Sequence, residues 1–328
     1  MTAATAPFAG PLKPLPDTIK ACRVHRFGPP EVISLEDVAR PSPGPGEVLV
    51  RVAAAGVGPW DGWIRAGRSA LPQPLPLTLG SDLAGTVAAV GPDVTAFRPG
   101  DVVFGVTNAR FTGAYAEYAV AAAGMVARQP TNLADVDAAA VPVVAVTAWQ
   151  ALFDQAGLKP KQTALIHGAA GNVGAFAVQL ARRAGIKVVA TVRGKDAGFV
   201  RCLGADRVVN VDHERFEDAA QGVDAVIDLV GGETQQRSFA VLKPGGRLIS
   251  AVSEPDPAQA ARGSIDARFF LVEVTTAGLD RIAALIADGR LQVQVGAVLP
   301  LAGARTAHEM LEGARPHPRG KIVLRVRA

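Results

Sequence analysis

The sequence predicts an α/β chain in which a doubly wound parallel sheet is inserted into a β-rich domain. Three observations predict it. From Thr163 onward, short apolar runs alternate with segments of helical periodicity, the pattern of right-handed βαβ units. Ahead of Asp135, short alternating runs are punctuated by Gly and Pro, which argues for a barrel-like or sandwich-like β domain. Near the end, Val293–Leu299 and Lys321–Val326 return to β character and suit the first region better than the second.

In order, Ala21–Phe27 and Val32–Val38 flank Gly28-Pro29-Pro30 as a hairpin. Pro41–Gly46 is a turn cluster before the β-branched run Glu47–Ala55, which ends at Gly56. Leu83–Val90 and Val102–Val106 are further strands, separated by the Pro99-Gly100-Asp101 turn. Ala138–Phe153 reads as helix. Thr163–His167 is a buried strand, and Asn172–Ala184 a helix with Val173, Phe176, Ala177, Leu180 and Ala184 on one face. Strands follow at Lys187–Val192, Arg207–Val211, Ala225–Leu229, Arg247–Val252 and Arg268–Val274, with helices at Ala197–Leu203 and Thr234–Val241 between them. Leu279–Asp288 is an amphipathic helix. The domain expectation is 19–134 with 275–328 for the β-rich part and 135–274 for the insert. Residues 1–18, rich in Ala, Pro and Thr, form a flexible extension without the basic and apolar regions of a signal peptide.

Bulk properties exclude several classes. The 328 residues suffice for two domains with cores of their own. The net charge is +4, and the basic residues are scattered, with Arg182-Arg183 their only adjacent pair, so no nucleic-acid stripe is expected. No apolar run reaches the roughly 18 residues of a membrane helix. Cys22 and Cys202 lie far apart, outside any C-x-x-C, which fits a reducing, cytoplasmic setting and gives no cysteine-built zinc site.

The sharpest motif is Gly168-Ala169-Ala170-Gly171-Asn172-Val173-Gly174, between a strand and a helix. Gly171 lets backbone approach a pyrophosphate, Gly174 lets helix and strand pack closely, and the helix N-terminus offers free N–H groups to phosphate. This identifies the insert as a Rossmann domain, with Ala169 in place of the usual first glycine. The next strand ends Val192-Arg193-Gly194-Lys195, about 20 residues after the loop. An acid there would bond the ribose 2′-hydroxyl of NADH. Arg193 and Lys195 instead suit a 2′-phosphate, so the expected cofactor is NADPH. Asp196 is expected to cap the helix at Ala197.

Ala53–Gly67, Leu79–Val90, Phe97–Phe104, Gly113–Val120, Val146–Phe153, the glycine loop and Arg319–Val326, taken in order, resemble the medium-chain dehydrogenase/reductase superfamily, in its zinc-independent quinone oxidoreductase branch. The resemblance implies a GroES-like β domain split around the Rossmann domain, and a homodimer. Zinc enzymes of the superfamily carry a Cys and a Gly-His-Glu where this chain reads Gly56-Val57-Gly58 and Gly80-Ser81-Asp82. The histidines are dispersed, so no metal is expected.

Without zinc to stabilise an alkoxide, the chemistry favours acceptors that spread the incoming charge, such as quinones and α,β-unsaturated carbonyls. A reductase of simple carbonyls, or a NADPH-binding protein with little turnover, remains the alternative. The resemblance implies catalytic-site roles for Thr147 at the nicotinamide end, for Asp61, whose role is either catalytic or structural, and for Trp63, which with Trp60 either walls a planar pocket or packs under a loop. Gly58 stands where relatives often have Asn, and Trp63 where some have Tyr. Tyr115 and Tyr118 read as β packing. Cofactor contacts are expected from Ala170, Gly171, Asn172, Val173, Gly174, Arg193 and Lys195, and by resemblance from Thr147, Val230, Gly231, Ser253, Phe270, Val272, Arg319 and Lys321.

Overall fold

The computed structural model describes residues 15–327. Most of the expected N-terminal extension, residues 1–14, lies outside the described residues. Among the described residues the first strand begins at Thr18.

The β-rich part is built on a seven-stranded sheet. Its path runs Val295–Pro300, Lys321–Arg325, Glu47–Val57, Asp82–Val90, Val102–Val106 and Val126–Arg128, and Tyr118–Ala122 also pairs with Glu47–Val57. The expected return of the C-terminal strands is thus explicit: Lys321–Arg325 lies antiparallel to Glu47–Val57, with Ile322 opposite Val57 and Leu324 opposite Ala55. A small sheet of Ser34–Ala39, Thr18–Val24 and Leu77–Thr78 contains the expected hairpin.

The insert is a six-stranded, wholly parallel sheet. Its strands are Thr163–Ile166, Lys187–Val192, Arg207–Asn210, Val223–Asp228, Leu242–Ser250 and Asp266–Phe269. Numbered along the chain within this sheet, they lie in the order 3-2-1-4-5-6. Ligands of such sheets bind outside the carboxyl ends of the strands where the order reverses, here between Thr163–Ile166 and Val223–Asp228.

The helix Pro142–Trp149 is buried on nearly all sides, as an apolar helix between two layers must be. Its residues Val143, Val144, Ala145, Val146 and Ala148 share one core with Ala54, Ala84 and Phe104 of the β-rich part and Ile166, Ala177 and Leu180 of the insert. That shared core fixes the helix against both sheets.

Several boundaries moved. Ala138–Phe153 divides into a turn of helix, Asp135–Ala138, the helix Pro142–Trp149, and a wide π segment, Gln150–Gln155. Pro142 supplies no N–H and so starts a new helix instead of continuing the first. The last parallel strand stops at Phe269. Phe270 N still bonds Ser250 O, and the chain then crosses to the helix Thr276–Ala287, capped by Thr275, which leaves Val272 in the crossing rather than in a strand. The helices Pro59–Arg65 and Ala304–Leu311 were not expected.

Candidate active site

The cofactor side of the site grows from the strand Thr163–Ile166. At its end His167 is buried, with Nε2 3.0 Å from Ser238 Oγ and Nδ1 2.9 Å from Thr191 Oγ1. Ser238 Oγ already donates to the Thr234 carbonyl, so it accepts from His167 Nε2–H, and Nδ1 accepts from the Thr191 hydroxyl. Burial pushes the imidazole down to about 4. His167 is therefore neutral scaffold, tying neighbouring elements together. The unfolded chain takes up this proton below about pH 6.5 while the folded one resists until about 4, so this group removes stability as pH falls through that window. In denaturant titrations, the stability gap between the wild type and His167→Gln should shrink by about 3 kcal/mol from pH 7 to pH 4. A gap independent of pH would show that the histidine is not held neutral.

Beyond His167, the chain turns through the glycine loop into the helix Asn172–Arg183. Its N-cap, Gly171, offers no side-chain cap, so the first-turn N–H groups remain available to an anion. A Cβ on Gly174 would lie 2.3 Å from Gly168 O, so only glycine permits this close packing. A small, narrow cleft lies above the loop, lined by Ala170, Gly171, Asn172, Phe199, Arg319 and Lys321 among others.

At the end of Lys187–Val192, Arg193 and Lys195 are both exposed. Among the described residues neither side chain has a hydrogen-bond or ion-pair partner. Gly194 N between them donates to Asp212 Oδ2 at 2.9 Å. Asp196 does not cap the next helix as expected: its side chain accepts no cap bond. The carboxylate is taken by Arg319, whose Nε donates to Asp196 Oδ1 at 2.9 Å, because a guanidinium brings a full positive charge and several N–H donors where a backbone amide brings one neutral donor.

Asp228 organises the fourth and fifth strand ends, a role the sequence reading missed. Its Oδ1 accepts from Val230 N at 3.0 Å and Gly231 N at 2.9 Å, and its Oδ2 from Gln235 Nε2 and Ser250 Oγ, both at 2.9 Å. Ser250 Oγ in turn accepts from Ser253 N at 3.2 Å. Val230, Gly231 and Ser253 thus sit on one braced rim, and Phe270 is buried. The available signal was an acid closing an apolar strand just before Gly231-Gly232.

On the β-rich side, Asp61 is fully buried in the third position of Pro59–Arg65, and its Oδ2 reaches back to Gly58 N at 2.8 Å, half of a capping box. The Tyr115 hydroxyl donates to the same oxygen at 3.1 Å. Burial pushes Asp61 up to about 7, although Gly58 N and the Lys321 charge pull it down. Of the two roles open in the sequence, this geometry supplies the structural one. Tyr115, read as packing alone, supplies a hydrogen bond as well.

Trp60 and Trp63 part company. Trp60 Nε1 donates to Ser81 Oγ at 2.9 Å, and its ring lies 4.3 Å from Lys321 Nζ. Trp63 is 44% exposed and makes no side-chain hydrogen bond among the described residues. A Cβ on Gly58 would meet the Trp60 ring at 2.2 Å, so the indole occupies the space that an Asn at that position needs.

Lys321, expected at the cofactor, lines the cleft but sends its ammonium to Asp82 Oδ2 at 2.9 Å, with both side chains buried. Burial raises the Asp82 carboxyl, and Lys321 opposes that rise. Asp82 Oδ1 accepts from Val143 N at 3.2 Å, at the start of the helix that carries Thr147. Thr147 Oγ1 donates to Val143 O at 2.7 Å, which leaves its lone pairs free to accept.

Two family models match the chain: an alcohol dehydrogenase GroES-like domain over residues 44–131, and a zinc-binding dehydrogenase model over residues 203–324, which spans part of the parallel sheet and the C-terminal β strands. A quinone oxidoreductase of Sus scrofa is 36% identical over 93% of this chain and 97% of its own length. The chain belongs to the medium-chain dehydrogenase/reductase superfamily. A human quinone oxidoreductase is 34% identical, covering 89% of this chain and 93% of its own. The structure of a quinone oxidoreductase from Coxiella burnetii superimposes with a TM-score of 0.88 at 33% identity, over 94% of this chain and all (100%) of that one. As a member of this superfamily the chain is an oxidoreductase with a nicotinamide-cofactor domain. No helix among the described residues is long and apolar enough to cross a membrane.

Zinc, implied by one family description, does not fit the residues present. A Cβ on Gly56 would lie 2.3 Å from Ala139 O and 3.0 Å from Lys321 Cε, leaving no room for a ligating side chain. Ser81 is held by Trp60, and the Asp82 carboxylate is neutralised by Lys321. No group of three metal-ligating side chains occurs among the described residues.

Proposed function

We propose that the chain is a NADPH-dependent, zinc-independent oxidoreductase that reduces quinones or α,β-unsaturated carbonyls, with β-rich parts 19–134 and 275–328 flanking a Rossmann insert, 135–274. The observation that carries this reading is the buried Lys321–Asp82 pair at the superfamily's metal position. With that position filled, no divalent cation is available to stabilise an alkoxide, and an acceptor that delocalises the charge itself is the suitable substrate.

NADPH supplies a hydride from its nicotinamide when bound. The chain's residues bind and orient. The glycine-loop amides from Ala170 to Gly174 suit the pyrophosphate, and Arg193 and Lys195 the 2′-phosphate. Thr147 can accept an N–H of the nicotinamide carboxamide through its free lone pairs, and Val230, Gly231 and Ser253, on the rim braced by Asp228, are assigned further cofactor contacts together with Phe270 and Val272. Asp61 holds the Trp60 helix in place through Gly58 N and Tyr115. Quinone reduction then needs one proton beyond the hydride, which water supplies.

In the presence of a chelator, a simple para-quinone should be reduced rapidly with NADPH and slowly with NADH, and a simple aldehyde should be a poor acceptor. Activity lost in chelator and restored by zinc would overturn the metal-free reading. Aldehyde turnover as fast as quinone turnover would overturn the substrate class.

A further inference from the structure

The turn after the second parallel strand carries two cations and an acid, and a third cation, Arg319, reaches that acid from the other sheet. Arg193 and Lys195 are exposed and unpartnered among the described residues. Arg319 is not free. Its Nε and one terminal nitrogen both donate to Asp196 Oδ1, and its guanidinium lies over the Phe199 ring, 4.4 Å from the centroid. The side chains of this pair are only 35% and 17% exposed, so the interaction is less screened than an ordinary surface ion pair. It also joins distant parts of the chain. Asp196 ends the turn Gly194–Asp196 after the second parallel strand, and Arg319 precedes the strand Lys321–Arg325 of the other sheet. Arg319 and Phe199 both line the cleft above the glycine loop.

We propose that Asp196 is a specificity-determining residue that acts as an internal competitor of the 2′-phosphate. Its carboxylate engages Arg319. A 2′-phosphorylated nucleotide takes that guanidinium for itself. The proposal rests on the NADPH reading above. Carboxylate and phosphate are alternative partners for one guanidinium fork. A phosphate held by Arg193 and Lys195 lies beside Lys195's chain neighbour, so it meets Asp196 as a like charge unless Arg319 stands between them. The carboxylate therefore lowers affinity for NADPH and leaves NADH, which lacks that phosphate, untouched. Asp196 caps no helix, and among the described residues its side chain is bonded only to Arg319.

The test is direct titration of NADPH and NADH against the wild type, Asp196→Asn, Asp196→Ser, Arg319→Ala and the Asp196→Asn/Arg319→Ala pair. Asp196→Asn and Asp196→Ser should each tighten NADPH by about 5-fold, the size of one partly screened ion pair. NADH should change by less than about 2-fold. The gain should disappear when Arg319 is also replaced, since the two effects are coupled through one contact. Weaker NADPH binding in Asp196→Asn, or equal changes for both cofactors, would overturn the proposal by making Asp196 a support for the loop. A wild type that binds NADPH no better than NADH defeats the cofactor reading itself. A wild type that prefers NADPH, with the preference unchanged in Asp196→Asn, defeats only this inference.

Discussion

Replacing Arg193 and Lys195 together with Ala should weaken NADPH binding on the order of 100-fold and leave NADH within about 3-fold. The expectation is large because both cations are exposed and unspent: neither has an acid to leave when a phosphate arrives. Their loss therefore removes attraction without disturbing an internal contact. It should also flatten the salt dependence of NADPH binding, since screened charges carry the effect. Lys195 acts as a point charge, and Arg193 through its planar fork, so Arg193→Lys should retain only part of the binding. The measurement is the ratio of dissociation constants for the two cofactors at two ionic strengths. Equal losses for NADPH and NADH would assign the cations to the loop's fold and not to the 2′-phosphate.

The parts of this site legible in the sequence are those written in local pattern. The glycine loop between a strand and a helix, and the basic residues at the end of the next strand, lie where periodicity and spacing put them. The C-terminal strands were legible too, because the chain returns to β character there after the alternating region. What stayed hidden are the pairings made across the fold. Lys321 is 239 residues from Asp82, and Arg319 is 123 from Asp196. No local propensity reports which acid a distant cation will meet, so both cations were assigned to the cofactor alone. Asp196 shows how this misleads: its position before a helix matches a cap, and a charged partner from another element outbids the local amide. The short helix at Pro59 was missed for a related reason. Its start depends on Asp61 reaching back to Gly58 N, and Gly58-Pro59 otherwise reads as a turn.

Lys321→Met should cost about 3–5 kcal/mol of stability at pH 8, the usual consequence of leaving one charge of a buried pair behind. Both side chains are almost wholly inaccessible, so water cannot take the place of the ammonium. The deficit should depend on pH with a definite sign. Burial already raises the Asp82 carboxyl, and Lys321 is what holds it down. Without Lys321 the folded state favours protonated Asp82 still more, and a raised carboxyl adds stability as pH falls and loses it as pH rises. The variant should therefore recover toward the wild type between pH 8 and pH 5. Adding Asp82→Asn should restore most of the loss at pH 8, because the amide oxygen can still accept from Val143 N and no charge is stranded. The same double variant separates stability from function. If the pair only fills the metal position, quinone turnover should return with the fold. If the pair also sets the start of the Thr147 helix through Val143, kcat should remain low while NADPH binding recovers. Urea titrations across pH, run beside kcat and KM on the single and double variants, distinguish the two, and a Lys321→Met deficit that does not change with pH would show that Asp82 was never charged.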